Sequence, residues 1–134
     1  MMLKRNEGKQ MKNVINSNNA PDAIGPYSQA IETDNLVFVS GQLPVDKNSG
    51  TMPEGIKNQT YQSLTNIKYI LEAAGLSMNN IVKTTVLLQN IADFSDMNEI
   101  YATFFKDVCP ARAAFEVAAL PKGALVEIEA IAVK

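Results

Sequence analysis

The chain has 134 residues, 46% of them apolar and 19% charged, with a net charge of −2. This is one globular domain's worth of sequence, without the basic excess of nucleic-acid binders. It has no histidine and a single cysteine, Cys109, which excludes Ser-His-Asp and Cys-His nucleophiles, internal disulfides and the commonest nitrogen ligand of zinc.

Acid–base chemistry must therefore fall to Glu, Asp, Tyr, Lys, backbone groups or water. No stretch reaches the roughly 18–20 apolar residues of a membrane span, so a cytoplasmic protein with no membrane partner is expected. In chain order, MMLKRNEGKQ (1–10) is polar and reads as a disordered N-terminal extension, with one domain at 11–134. Residues 16–26, rich in Asn, Pro and Gly, form an irregular loop that delivers Tyr27. Strands are expected from Tyr27 to Ile31 and from Asn35 to Gln42; the second is apolar on both faces, so something besides helices must cover the sheet. After a Pro/Gly loop at 43–55, the recurrence of Ile56, Thr60, Leu64, Ile67, Ile70, Leu71 and Ala74 predicts an amphipathic helix ending at Gly75. Ile81 to Gln89 reads as a strand. Asp93 is expected to cap a second helix running through Met97, Ile100, Tyr101, Phe104 and Phe105.

Two strands close the chain. In the first, Phe115 and Val117 are expected on the core face and Arg112, Ala114 and Glu116 on the other; in the second, Val126, Ile128, Ala130 and Ala132 face the core and Glu127 and Glu129 do not. The order ββαβαββ predicts an α+β sheet with two helices packed on one face.

The face away from the helices is thus expected to hold Arg112, Glu116, Glu127 and Glu129 among small apolar residues. A solvated sheet face carries such a pattern without function; a subunit interface with a charged pocket at its edge carries it too. Arg112 can hold a carboxylate bidentately or pair with Glu116 or Glu127. Glu127 among apolar neighbours can have a raised pKa and take a proton from water, or serve as an ion-pair partner. Tyr27 can present its hydroxyl to a pocket or pack in the core. Cys109 has no His to activate it, and Asp93, Asp96 and Glu99 read as helix-surface acids. No phosphate-binding glycine pattern or metal-ligand spacing stands out.

The segments PARAAFEVAALPKGALVEIEAIAV (110–133), AIGPYSQA (23–30), VSGQLP (39–44) and IVKTTVLL (81–88) closely resemble the RidA family of reactive-intermediate deaminases, also called YjgF. The resemblance runs from about Met11 to Lys134. It implies a chorismate-mutase-like α+β fold, assembled as a homotrimer with sites in the clefts between subunits, and hydrolysis of 2-imino acids such as 2-iminobutanoate and 2-iminopropanoate to 2-oxo acids and ammonia, with no cofactor and no metal. By position, the resemblance implies that Arg112 clamps the substrate carboxylate, Glu127 positions and activates water, and Tyr27 lines the pocket from across the interface. It further implies that the Gly41 backbone meets the nitrogen end of the substrate and that Asn98 adds a polar contact. Ala114 stands in the substrate-binding position where many members have Cys, which argues against thiol chemistry. An imine carbon is already electrophilic, so orientation, a charge clamp and water suffice. The alternative is a non-catalytic trimer that binds 2-oxo acids. An endoribonuclease activity, described for some relatives, gains little support from an acidic chain without a basic stripe, so no nucleic-acid partner is expected.

Overall fold

The computed structural model describes residues 11–134; the extension expected at 1–10 lies outside the described residues. The elements are β1 (Asn13–Ile15), β2 (Ala30–Glu32), β3 (Leu36–Gln42), α1 (Ile56–Ala73), β4 (Ile81–Leu88), α2 (Phe94–Ala102), β5 (Ala111–Glu116) and β6 (Val126–Val133). They form one sheet in the order β1-β2-β3-β6-β4-β5. The first three strands are an antiparallel meander. The last strand, β6, inserts between β3 and β4, antiparallel to both, while β5 pairs parallel with β4 and leaves α2 as the crossover between them. The α+β sheet with two helices on one face is as expected from the sequence, with β1 as an additional edge strand. Three residues, Asn-Val-Ile, are too few to carry a readable alternation.

Helix α1 forms because its apolar residues recur at three- and four-residue spacing, and it buries Leu64, Ile67, Ile70 and Leu71 completely. It ends as the sequence predicts: Gly75 takes φ 77°, its N–H donates to Glu72 O, and the Leu76 N–H reaches back to Leu71 O at 2.8 Å. Only glycine adopts that left-handed cap without strain. The core lies between this helix, the inward side of α2 (Met97, Tyr101) and one sheet face made by Val37, Val39, Val86, Leu88, Val126 and Ile128.

The start of α2 differs from expectation. Asp93 makes no side-chain cap bond. Instead Asn90 accepts from the Ala92 N–H at 2.9 Å and the Glu116 carboxylate accepts from the Ile91 N–H at 2.8 Å, satisfying donors of a 3-10 turn at Ile91–Asp93 that leads into the helix. The helix also stops at Ala102 rather than continuing to Phe105, although Phe105 remains buried.

The orientation of β5 is the main correction. Arg112, Ala114 and Glu116 are in register with Thr84, Val86 and Leu88 of β4, all three of which are buried beneath the helices. Arg112, Ala114 and Glu116 therefore stand on the helix side, and Phe115 faces the bare side, in one cross-strand row with Leu87 and Glu127. The physical reason is that the bare face is itself apolar, with Val14, Phe38, Phe115 and Val133 exposed on it. Side-chain size then gives no guide to which face of an edge strand is the core face.

Candidate active site in two halves

The first half surrounds Arg112. Helix α2 presents Phe94, Asn98 and Tyr101 at spacings of four and three, hence along one stripe. The Arg112 guanidinium lies 5.4 Å from the Phe94 ring centroid and 4.7 Å from that of Tyr101, and its Nη1 donates to Asn98 Oδ1 at 2.7 Å. Among the described residues, the ion pairs are Lys47–Asp22, Lys57–Glu99 and Lys134–Glu32; Arg112 takes part in none of them. The structural pairing with Glu116 or Glu127 is not formed: Glu116 is engaged by Ile91, and Glu127 is on the other face. Arg112 is exposed, and a guanidinium is a planar fork of donors that suits a carboxylate. Ala114 follows Arg112 along the same side of β5, partly buried against the core.

The second half surrounds Glu127. Its side chain lies directly over Gly41 of β3, where any Cβ would overlap the Glu127 carboxylate; glycine is needed here for close approach, not for an unusual φ. Burial raises the Glu127 pKa, and repulsion from Glu129 raises it further. A carboxylate in that condition is a better proton acceptor from water than an ordinary glutamate. Gly41 and Tyr27 both line a cleft of about 580 Å³ with Gln29, Leu43, Pro121 and Lys122. Tyr27 is 52% exposed, so it presents its ring to this cleft rather than packing in the core.

Buried carboxamides hold the irregular loops, those of Gln29 and Asn66 on segments that line this cleft. Gln29 accepts from Ser17 N at 2.7 Å and donates to Ser17 O and Pro21 O, fixing the loop that carries Tyr27. Asn66 of α1 donates to Leu43 O and Val45 O and accepts from Gln62. Gln59 accepts from Leu125 N at 2.8 Å and donates to Pro53 O. These loops lack strand or helix partners, and the amides stand in for the missing backbone bonds.

The six residues singled out from the sequence therefore fall into two sets. Arg112, Asn98 and Ala114 gather at the helix-covered edge; Tyr27, Gly41 and Glu127 gather at the cleft and bare face. Within one chain the sets do not meet. Phe94 and Tyr101 were not read from the sequence as site residues, because apolar residues at helical spacing signal core; the informative sign was Asn98 within the same stripe. Among the described residues there is no cluster of three or more His, Cys, Asp or Glu able to hold a metal ion, and no helix is long and apolar enough to cross a membrane.

The chain is thus an α+β protein with an arginine at one sheet edge and a half-buried glutamate over a glycine on the opposite face. The family model described as Endoribonuclease L-PSP matches residues 17–134. The chain is 55% identical over 125 residues to a Pyrococcus horikoshii protein named RutC family protein PH0854, covering 92% of this chain and 99% of that one. It is 52% identical over 125 residues to a mouse protein named 2-iminobutanoate/2-iminopropanoate deaminase, covering 92% and 93%. Among solved structures, that of E. coli TdcF with bound serine matches with a TM-score of 0.89 at 43% identity, covering 91% of this chain and 98% of that one. The chain belongs to this family, the YjgF/RidA family.

Proposed function

We propose that the protein is a cytoplasmic deaminase that hydrolyses 2-imino acids such as 2-iminobutanoate and 2-iminopropanoate to 2-oxo acids and ammonia. It works as a homotrimer in which Arg112, Asn98 and Ala114 of one copy face Tyr27, Gly41 and Glu127 of the next. The observation that carries this reading is the separation of Arg112 and Glu127 onto opposite faces of one sheet: each copy holds complementary halves of a site that only a neighbour can complete. The name of the mouse relative, at 52% identity, supports the chemistry. The serine bound in the TdcF structure supports an amino-acid-sized ligand. The apolar bare face supports burial against another copy.

In the reaction, Arg112 holds the substrate carboxylate and neutralises its charge, with Asn98 fixing the guanidinium plane. Glu127 takes a proton from water as the oxygen attacks C2. The C=N double bond becomes a single bond, giving a tetrahedral amino alcohol, and the proton held on Glu127 passes to the nitrogen. The hydroxyl proton then passes by way of Glu127 to the amino nitrogen, the C–N bond breaks as the C=O bond forms, and ammonia and the 2-oxo acid leave. Imine carbon is electrophilic without assistance, so no group carrier is required.

The test uses purified protein and 2-iminobutanoate generated in place by an amino-acid dehydratase. The protein accelerates imine loss, and Arg112→Ala lowers kcat/KM by roughly a hundredfold or more. Co-refolding Arg112→Ala with Glu127→Gln restores part of the activity, since some mixed sites receive both intact halves. Absence of any restoration would place both halves in one copy and overturn the shared site. Binding of 2-oxobutanoate without turnover would favour the non-catalytic trimer. Light scattering is expected to give three chain masses.

A further inference from the structure

Tyr101 is buried, yet it touches the most exposed functional group of its half-site. Its ring lies between Phe105, at a centroid distance of 4.8 Å, and the Arg112 guanidinium at 4.7 Å. Its hydroxyl is hydrogen-bonded to Thr84 Oγ1 at 2.7 Å in the interior. Thr84 is fully buried and is the residue of β4 directly in register with Arg112 on β5. The contacts thus close a ring: Arg112 is tied to Thr84 through the strand ladder, Thr84 to the Tyr101 hydroxyl, and the Tyr101 ring to Arg112.

We infer that Tyr101 is a positioning residue for Arg112, holding the guanidinium plane so that its free donors meet a carboxylate already aligned. Tyr101 touches no substrate and acts through Arg112. Three kinds of contact act together. The Asn98 oxygen fixes one nitrogen, Phe94 and Tyr101 restrain the planar group by cation–π contact, and the Thr84 bond stops the Tyr101 ring from sliding along the helix. A phenylalanine would fill the same volume, but its ring would have no fixed depth. Burial also raises the Tyr101 pKa, so the phenol stays protonated and the bond to Thr84 persists wherever the protein is folded near neutrality.

This inference rests on the reading of Arg112 as a carboxylate clamp, and its test separates the two. Affinity for unreactive 2-oxobutanoate is measured by calorimetry alongside steady-state kinetics on 2-iminobutanoate. Binding that is lost in Arg112→Ala supports the clamp itself; binding indifferent to Arg112→Ala would remove the clamp and the inference with it. Given a clamp, Tyr101→Leu raises Kd and KM by about five- to tenfold with kcat changed less than twofold, and Tyr101→Phe and Thr84→Val give smaller increases of matching size. In an Arg112→Lys background the Tyr101→Leu effect shrinks, because lysine lacks the plane that the ring holds. Tyr101→Phe keeps the core filled and so reads out even where Tyr101→Leu fails to fold. Wild-type Kd in both Tyr101→Phe and Thr84→Val, or a Tyr101→Leu penalty undiminished by Arg112→Lys, would show that Tyr101 serves the core alone.

Discussion

The two faces of the sheet solve opposite problems with similar residues. Toward the helices, Val37, Val86, Leu88, Val126 and Ile128 are sealed by α1 and α2. On the other side, Val14, Phe38, Phe115 and Val133 stay exposed, interrupted by Glu127 and Glu129. The covered face stabilises the monomer. The bare face contributes little to the single chain, and it is there that Glu127, the proposed proton acceptor, stands. Apolar residues in a strand thus do not by themselves tell which face the helices of the same chain will cover.

This contrast can be broken from either side. Leu64 is completely buried on the covered side, and Leu64→Ala is expected to cost about 3–5 kcal/mol in denaturant unfolding. On the bare side, where Phe38 and Phe115 are 42% and 47% exposed, the double change to Asp should leave the secondary structure intact in circular dichroism while reducing the particle to a single chain mass and abolishing activity. Gly41→Ala places a methyl against the Glu127 carboxylate and is expected to lower kcat by about tenfold to a hundredfold with the fold preserved.

Glu127 gives a pH-dependent comparison. Its folded pKa is raised by burial and by Glu129, so the folded state holds the proton more tightly than the unfolded chain. The stabilising contribution is fully present below the ordinary glutamate pKa of about 4.3 and is lost as pH rises through the folded value. Glu127→Gln should therefore raise the Tm near neutral pH, with the gain disappearing on acidification; a gain independent of pH would contradict the assignment. The smallest effect belongs to the covered side. The hydroxyl of Thr60 is buried without a hydrogen-bond partner, so Thr60→Val is expected to stabilise by about 1 kcal/mol.

Much of this architecture is readable in the sequence where one periodicity dominates. The 3.6-residue spacing and Gly75 specify α1 and its end, and the alternation of β6 separates Val126 and Ile128 from Glu127 and Glu129. Reading fails where two signals compete. Phe115 looks like core because it is large and apolar, but parallel pairing with β4 turns it to the bare face. Asp93 looks like a cap, but Asn90 and Glu116 reach the free N–H groups first, the latter from 25 residues away. The positions of Arg112, Asn98, Tyr27, Gly41 and Glu127 were marked by motif resemblance. Their division into two separated sets follows from strand order, which no local pattern encodes. Tyr101 reads only as one position of the helical spacing of α2, and its contact with Arg112 emerges from the placement of α2 against β5.

The buried carboxamides bear on how the protein ages. Gln29, Gln59 and Asn66 each use both ends of the amide, donating through nitrogen and accepting through oxygen. Hydrolysis of Asn66 to aspartate would exchange its donating nitrogen for an anionic oxygen aimed at the carbonyls of Leu43 and Val45, turning two attractions into repulsions at a single stroke. Because Asn66 is fully buried within α1, that charge would also stand without a partner, and the cost would fall on the fold together with the cleft wall. One amide thus joins the durability of the cleft to that of the helix that carries it.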